Sequence, residues 1–244
     1  MSPTWVTAFL DSAGAHHHES VGFWQEATGY AVSAPRGDDG EFATLVPPDG
    51  DAFLRVQRLH QGHDRIHLDL HVTDPRAAVA GVLAAGGTFV VDRGHVVMAS
   101  PGGFVFCLVP EAGESRVPAA LDHGHGGRSR VYQVAIDVPR ASYERELGFW
   151  HAITGWDQRS SSVTDDFRFL VPPSGQPLRL LLQRLGAGDD GGVRARLDWA
   201  TSDRAAETER HLAIGAHVLA VLPHWTVMRD PTGRVYCLTD ARPE

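Results

Sequence analysis

From residue 6 to 11 polar and apolar side chains alternate, placing Thr7, Phe9 and Asp11 on one face, the two-residue period of a half-buried strand. The same places are filled by Gln133, Ala135 and Asp137 later in the chain. After each strand the period lengthens. His17, Val21 and Trp24, and likewise Tyr143, Leu147 and Trp150, fall at i, i+4, i+7, one face of an amphipathic helix. The pair Asp11-Ser12 is the expected start of the first helix, and Gly29 or Gly155 the expected stop. Three strands follow in each case, the last over residues 53–59 and 179–185. The pattern then starts over, with a strand over 65–73, a helix over 75–85 opened by Pro75 and closed by Gly86-Gly87, and further strands within 88–109. The corresponding helix later in the chain covers 204–214 and stops at Gly215. Each half of the chain therefore predicts the order βαβββ-βαβββ, an α+β fold.

The elements recur because the sequence does. Phe23-Trp24, three residues, then Thr28-Gly29-Tyr30 recurs as Phe149-Trp150, three residues, then Thr154-Gly155-Trp156. Phe42 to Pro48 recurs as Phe167 to Pro173, Leu54 to Leu59 as Leu180 to Leu185, and Leu68-Asp69 as Leu197-Asp198. Ser100-Pro101-Gly102-Gly103 with Cys107-Leu108 recurs as Asp230-Pro231-Thr232-Gly233 with Cys237-Leu238. The order is preserved and the spacing drifts slightly, as small loop insertions would make it do. Residues 1–110 and 130–244 are read as two domains. Between them, residues 111–129 are rich in glycine, proline and charge without either period, and read as a linker. Its Asp122, His123 and His125 could catch a metal, but a flexible segment offers no supporting shell. His16-His17-His18 point about 100° apart on a helix and cannot converge on one ion.

Composition narrows the chemistry. Of the 244 residues, 22 are basic and all of these are arginine. Without lysine there is no Schiff base, no pyridoxal-phosphate anchor and no P-loop lysine. A formal charge of -8 argues against a nucleic-acid backbone as partner. No run of about 18 apolar residues suggests a membrane span, and the expectation is a cytoplasmic protein. The cysteines, Cys107 and Cys237, sit at matching places in the two copies, which disfavours a disulfide framework.

The double βαβββ order, the Phe-Trp helix end, the strand His67-Leu68-Asp69-Leu70-His71-Val72 and the Ser100-Pro101-Gly102-Gly103 or Asp230-Pro231-Thr232-Gly233 turn together resemble the glyoxalase/bleomycin-resistance, or vicinal oxygen chelate, superfamily. The resemblance covers nearly all of both copies. It implies two tandem domains, each a pair of βαβββ modules forming a mixed sheet curled around a concave pocket, often with a divalent metal that chelates neighbouring substrate oxygens. It also implies a compact monomer with pseudo-twofold pairing of the copies, or its homodimer.

Alternation predicts which residues face that pocket. In the strand over 65–73, Ile66, Leu68, Leu70 and Val72 form the core face, so Arg65, His67, Asp69 and His71 point inward. The same reasoning places Thr7, Phe9, Asp11, Arg55, Gln57 and Cys107 inward in copy one. In copy two it selects Gln133, Asp137, Arg179, Gln183, Arg196, Asp198 and Cys237. The family's ligand positions would read Thr7, Gln57, His67 and Cys107 in copy one, and Gln133, Gln183, Arg196 and Cys237 in copy two. A divalent ion needs at least three good N, O or S donors. Copy one offers His67, Cys107 and the weak amide of Gln57, and copy two places a cation, Arg196, among the ligands. The expectation is therefore a cofactor-free pocket that binds a small-molecule ligand.

Three functions stay open: a purely structural or regulatory interaction module, since fold does not fix function, a metal-independent protein that sequesters a small molecule, or, second to it, a glyoxalase-type lyase or isomerase in copy one. The last would use either a divalent metal or acid/base chemistry of His67 with Asp69 or Asp11. The structural reading of these residues is an ion pair that holds each repeat together, Asp11 and Asp137 with Arg58 or Arg184. Trp24, Trp150, Tyr30 and Trp156 read as core.

Overall fold

The computed structural model describes residues 2–124, 127–189 and 191–243. His125 of the linker lies outside them. Copy one runs β1 (Trp5–Ala13), α1 (His17–Thr28), β2 (Ala31–Val32), β3 (Phe42–Val46), β4 (Leu54–Leu59), β5 (Arg65–Val72), α2 (Pro75–Ala84), β6 (Thr88–Asp92), β7 (Val96–Ala99) and β8 (Val105–Pro110). After a short β9 (Leu121–Asp122), copy two repeats the order. It comprises β10 (Arg128–Val138), α3 (Tyr143–Thr154), β11 (Asp157–Ser160), β12 (Phe167–Val171), β13 (Arg179–Arg184), β14 (Arg194–Thr201), α4 (Arg204–Ala213), β15 (His217–Val221), β16 (Trp225–Arg229) and β17 (Val235–Thr239). The strands form two open sheets, β2-β3-β4-β1-β5-β8-β7-β6 and β11-β12-β13-β10-β14-β17-β16-β15. Both are mixed, because β5 pairs with β8 and β14 with β17 in parallel while the outer strands pair antiparallel. The α+β reading is correct for both copies.

Three local expectations needed correction. Asp11 and Ser12 belong to β1, which runs on to Ala13, and α1 starts only after a 3₁₀ turn, with no side-chain cap. The linker is not wholly irregular, since Leu121 and Asp122 pair with Ser129 and Arg128. The Asp11 carboxylate is bound by Arg65 Nε at 2.9 Å, not by Arg58, and Arg184 binds Asp166 at 2.8 Å. Gly29 and Gly155 end their helices in the left-handed region, at φ 69 and 67, as a glycine stop does.

The chain falls into two compact units that do not follow the repeat. One takes the second half-module of copy one with the first half-module of copy two, residues 66–115 and 134–195, plus the start of β1. The other takes residues 9–65 and 196–243 with the segment 116–133. In each unit, therefore, a helix of one copy packs on the strands of the other. In the first, Phe149 and Trp150 of α3 lie against Phe106, with ring centroids 5.9 and 5.3 Å away, and Trp150 meets Phe104 edge-on at 5.7 Å. In the second, Trp24 of α1 lies against Tyr236 and Trp199 at 5.5 and 6.4 Å.

The two recurring sequence signatures meet at these contacts. Trp24 Nε1 donates to Asp230 Oδ2 at 3.0 Å, and Trp150 Nε1 donates to Glu146 Oε2 at 3.0 Å. The acceptor comes from the turn in one joint and from the helix in the other. Asp230 Oδ1 also accepts from the Thr232 hydroxyl and from the backbone N–H groups of Thr232 and Arg234. Glu146 Oε1 accepts from the Ser100 hydroxyl and the Gly102 N–H. A Cβ on Gly102 would sit 2.3 Å from Val193 Cγ2 and 2.8 Å from Glu146 Oε1. Glycine is required where the acid enters from the helix, and Thr232 is tolerated where it does not. Gly103 and Gly233 hold φ 88 and 97 in both copies, a conformation that favours glycine.

Candidate functional site

In the first unit, strand alternation puts His67, Asp69 and His71 on one face of β5, and the parallel register sets Cys107 of β8 opposite Asp69. All four are buried. One donor atom each from His67, Asp69 and Cys107 lies within 4.8 Å of the other two, and His67 Nε2 is 3.7 Å from Asp69 Oδ1. That is an ion-pair distance, too long for a hydrogen bond. His71 is engaged differently. Its Nε2 lies 3.0 Å from the Thr7 hydroxyl, and its Nδ1 faces Glu114 at 3.5 Å. The same unit holds Asp137 and Gln183, the latter opposite Phe167 across β12 and β13. It also holds Arg179, whose guanidinium lies 4.4 Å from the Phe169 ring centroid.

The second unit contains the copy-two counterpart of this cluster. Asp198 again stands opposite a cysteine, Cys237, across a parallel strand pair. Its Oδ2 accepts from Gln133 Nε2 at 2.6 Å, and its Oδ1 lies 3.3 Å from Arg196 Nε. Arg196 occupies the place of His67, and Gln133 that of Thr7. The carboxylate of copy two is thus flanked by an amide donor and a permanent cation.

The second unit also holds the remaining copy-one positions. Phe9 is buried on β1, and the Arg55 guanidinium lies 5.7 Å from its ring centroid. Arg55 and Gln57 share the face of β4 opposite the buried Leu54 and Val56. Asp11, on β1, is held by Arg65, and its backbone carbonyl accepts from Arg234 Nη2 at 2.6 Å. Within the first unit the structure gathers a histidine, an aspartate and a cysteine, His67, Asp69 and Cys107.

Sequence reasoning missed Phe42, which sits opposite Gln57 across β3 and β4 and meets Phe9 edge-on at 6.3 Å. Its place depended on strand register, which the sequence pattern did not set. It also missed a buried network in copy two. Glu207 accepts from Ser129 at 2.6 Å and pairs with Arg210 at 2.6 Å and His211 at 3.2 Å, while His211 Nδ1 meets Tyr236 Oη at 2.7 Å. Arg210 also donates to the carbonyls of Glu26 and Ala27 at the end of α1. Burial works to raise the Glu207 pKa, but the hydrogen bonds from His211, Arg210 and Ser129 hold it well below the usual glutamate range. Burial pushes the Tyr236 phenol up. The i, i+3 and i, i+4 spacing of Glu207, Arg210 and His211 was the available signal.

Comparison with known proteins places the fold. The family model described as "Glyoxalase-like domain" matches twice, over residues 7–109 and 133–239. No curated protein matches the chain in sequence. A variant of 4-hydroxymandelate synthase from Streptomyces coelicolor aligns with TM-score 0.67 at 15% identity, over 99% of this chain and 94% of its own. The Mn(II)-bound glyoxalase from Novosphingobium aromaticivorans aligns with TM-score 0.66 at 16% identity, over 100% of this chain and 83% of its own. The 2,2',3-trihydroxybiphenyl 1,2-dioxygenase from Sphingomonas wittichii strain RW1 aligns with TM-score 0.64 at 16% identity, over 98% and 90%. At such identity these likenesses speak for the fold. Among the described residues no helix is long and apolar enough to cross a membrane. The double family match and the two open mixed sheets together show that the chain belongs to the glyoxalase-like domain family of the vicinal oxygen chelate superfamily, with the domain present twice.

Proposed function

We propose that the chain is a metal-independent, small-molecule-binding member of this family, with residues 1–110 and 130–244 as two non-equivalent domains joined by 111–129. The observation that carries the reading is the copy-two cluster. A guanidinium is a fixed cation with no lone pair to offer a metal. With Nε 3.3 Å from Asp198, Arg196 supplies the positive charge that a metal would otherwise bring, and the Gln133 amide donates to the other carboxylate oxygen. The residues of copy two do not fit a metal. In copy one the same register sets the His67 imidazole beside Asp69, so there too a ring nitrogen faces the carboxylate. Screening the purified protein against small metabolites by thermal shift, then recovering the ligand after incubation, tests this. The expected outcome is a ligand that raises Tm by binding the native state and is recovered intact. Consumption of that ligand would contradict the reading.

One observation favours a second reading confined to copy one. His67, Asp69 and Cys107 offer nitrogen, oxygen and sulfur donors within 4.8 Å of one another. Donors on a tetrahedral zinc-like ion lie about 3.3–3.8 Å apart, given bonds of about 2.0–2.3 Å, and the 3.7 Å between His67 Nε2 and Asp69 Oδ1 falls in that range. Bound there, such an ion would polarise a substrate oxygen as a Lewis acid. Without it, His67 beside Asp69 is placed for proton transfer. Titration with Zn²⁺ separates the readings: a saturable rise in Tm lost in His67→Ala supports the metal site, and an unchanged Tm supports the metal-free protein.

A further inference from the structure

Most arginines of this acidic chain have a carboxylate or carbonyl within reach, but among the described residues Arg55 has neither. Its Nε is buried and makes no hydrogen bond among the described residues. Its guanidinium lies over the face of Phe9, 5.7 Å from the ring centroid. Two residues along the same strand, Gln57 occupies the same face. On the neighbouring strand Phe42 stands opposite Gln57 and Thr44 opposite Arg55. Phe42 closes edge-on against Phe9. Thr44 accepts from Arg36 Nη2 at 2.7 Å, and Arg36 also donates to the Ser33 hydroxyl at 2.8 Å, again without a carboxylate. The row therefore combines two guanidinium groups, half-buried Arg55 and exposed Arg36, that have no carboxylate partner among the described residues, with two phenylalanine rings.

Arg55 is half-buried, and its Nε, buried without an acceptor, is unfavourable unless something supplies one. The fork of an arginine matches the two oxygens of a carboxylate, and its stacking on Phe9 orients that fork. The rings of Phe9 and Phe42 offer apolar surface to the rest of such a molecule. Copy two keeps Phe167 at the place of Phe42, but its arginine over a ring, Arg179 on Phe169, sits two residues earlier on the strand. Leu181 stands where copy one has Arg55, and Ala135 where it has Phe9. The feature is thus not a requirement of the fold.

We propose that copy one recognises a small organic carboxylate, preferably aromatic, through Arg55, with its apolar part against Phe9 and Phe42. This rests on the reading of the chain as a small-molecule-binding protein and names its ligand class. The test is calorimetric titration of the full chain with benzoate, phenylacetate and cyclohexanecarboxylate, each beside its neutral amide, with inorganic phosphate as the simple anion. At least one carboxylate should bind saturably at millimolar concentration while its amide does not. Arg55→Gln should weaken that binding about 10- to 100-fold, with Arg55→Lys in between, because a lysine keeps the charge and loses the fork.

Absence of binding by all three carboxylates, equal binding of the amides, or equal binding by Arg55→Gln would each overturn the proposal. So would phosphate binding as tightly as the aromatic acids. Unfolding midpoints of both variants, expected at the wild-type value for a half-exposed side chain, show that lost binding is not lost structure. Stoichiometric metal in the same preparation would sink the metal-free reading and leave the Arg55 dependence standing. Arg55-independent binding would do the reverse.

Discussion

Glu146 is fully buried yet has an acceptor role on both oxygens, toward Ser100, Gly102 and Trp150. Glu146→Ala leaves those donors buried without a partner, and should destabilise the protein by about 3 kcal/mol in urea unfolding. Burial raises the Glu146 pKa against the pull of these hydrogen bonds. The stability tied to its protonated form is therefore present below the usual glutamate pKa and lost as pH rises through the raised folded value. Glu207 behaves oppositely. Its folded pKa is depressed, so its contribution is present above the usual value of about 4.3 and lost as pH falls. Unfolding measured from pH 2 to 8 should show the wild type losing stability below about pH 5, with Glu207→Gln flattening that loss. Glu146→Gln should flatten the decline that sets in above the usual glutamate pKa. Glu146 was not legible beforehand, because a glutamate within a helix reads as solvent-facing until its partners on a distant turn, Ser100 and Gly102, are known; for Glu207 the spacing to Arg210 and His211 was the one signal.

At the scale of elements, the helix signature and the turn signature form one joint with its acid on alternate sides. Ser20 of α1 occupies the place of Glu146 in α3, and its buried hydroxyl has no hydrogen-bond partner among the described residues. Ser100 occupies the place of Asp230. Moving the acid across the α1 joint, by Ser20→Glu together with Asp230→Ser, should restore an acceptor for Trp24. Each single substitution should cost stability, and the pair should cost less than their sum, with a coupling of about 2 kcal/mol in a double-mutant cycle. Additive costs would show that the two positions do not share the joint. The helices, their glycine stops and the strands on either side of the repeat were readable from period and punctuation alone. The start of α1 was not, because Asp11 and Ser12 have capping chemistry but are drawn into β1 by strand pairing. The neighbours of Asp69 and Asp198 were half legible. Alternation selected the inward faces, but the registers that set Asp69 opposite Cys107 and Phe42 opposite Gln57 come from pairing between strands distant in sequence.

Across the whole molecule, each compact unit draws one half-module from each copy. Phe104, Phe106 and Trp150 are buried through such contacts in one unit, and Trp24 and Tyr236 in the other. A chain cut to residues 1–110 would expose its share of this aromatic surface. It should show no cooperative unfolding as a monomer, or should self-associate, by denaturant titration and sedimentation. Cooperative, monomeric unfolding of the fragment would show that the exchange of half-modules is dispensable. The same duplication allowed the two clusters to diverge: an arginine faces the aspartate in one and a histidine in the other. The proposed function rests on neither cluster needing a metal. Elemental analysis of the full chain, purified without chelators or added metal, tests that most directly. The account predicts zinc, manganese, iron and nickel all far below one ion per chain, unchanged in His67→Ala; a near-stoichiometric ion that disappears in His67→Ala would contradict it.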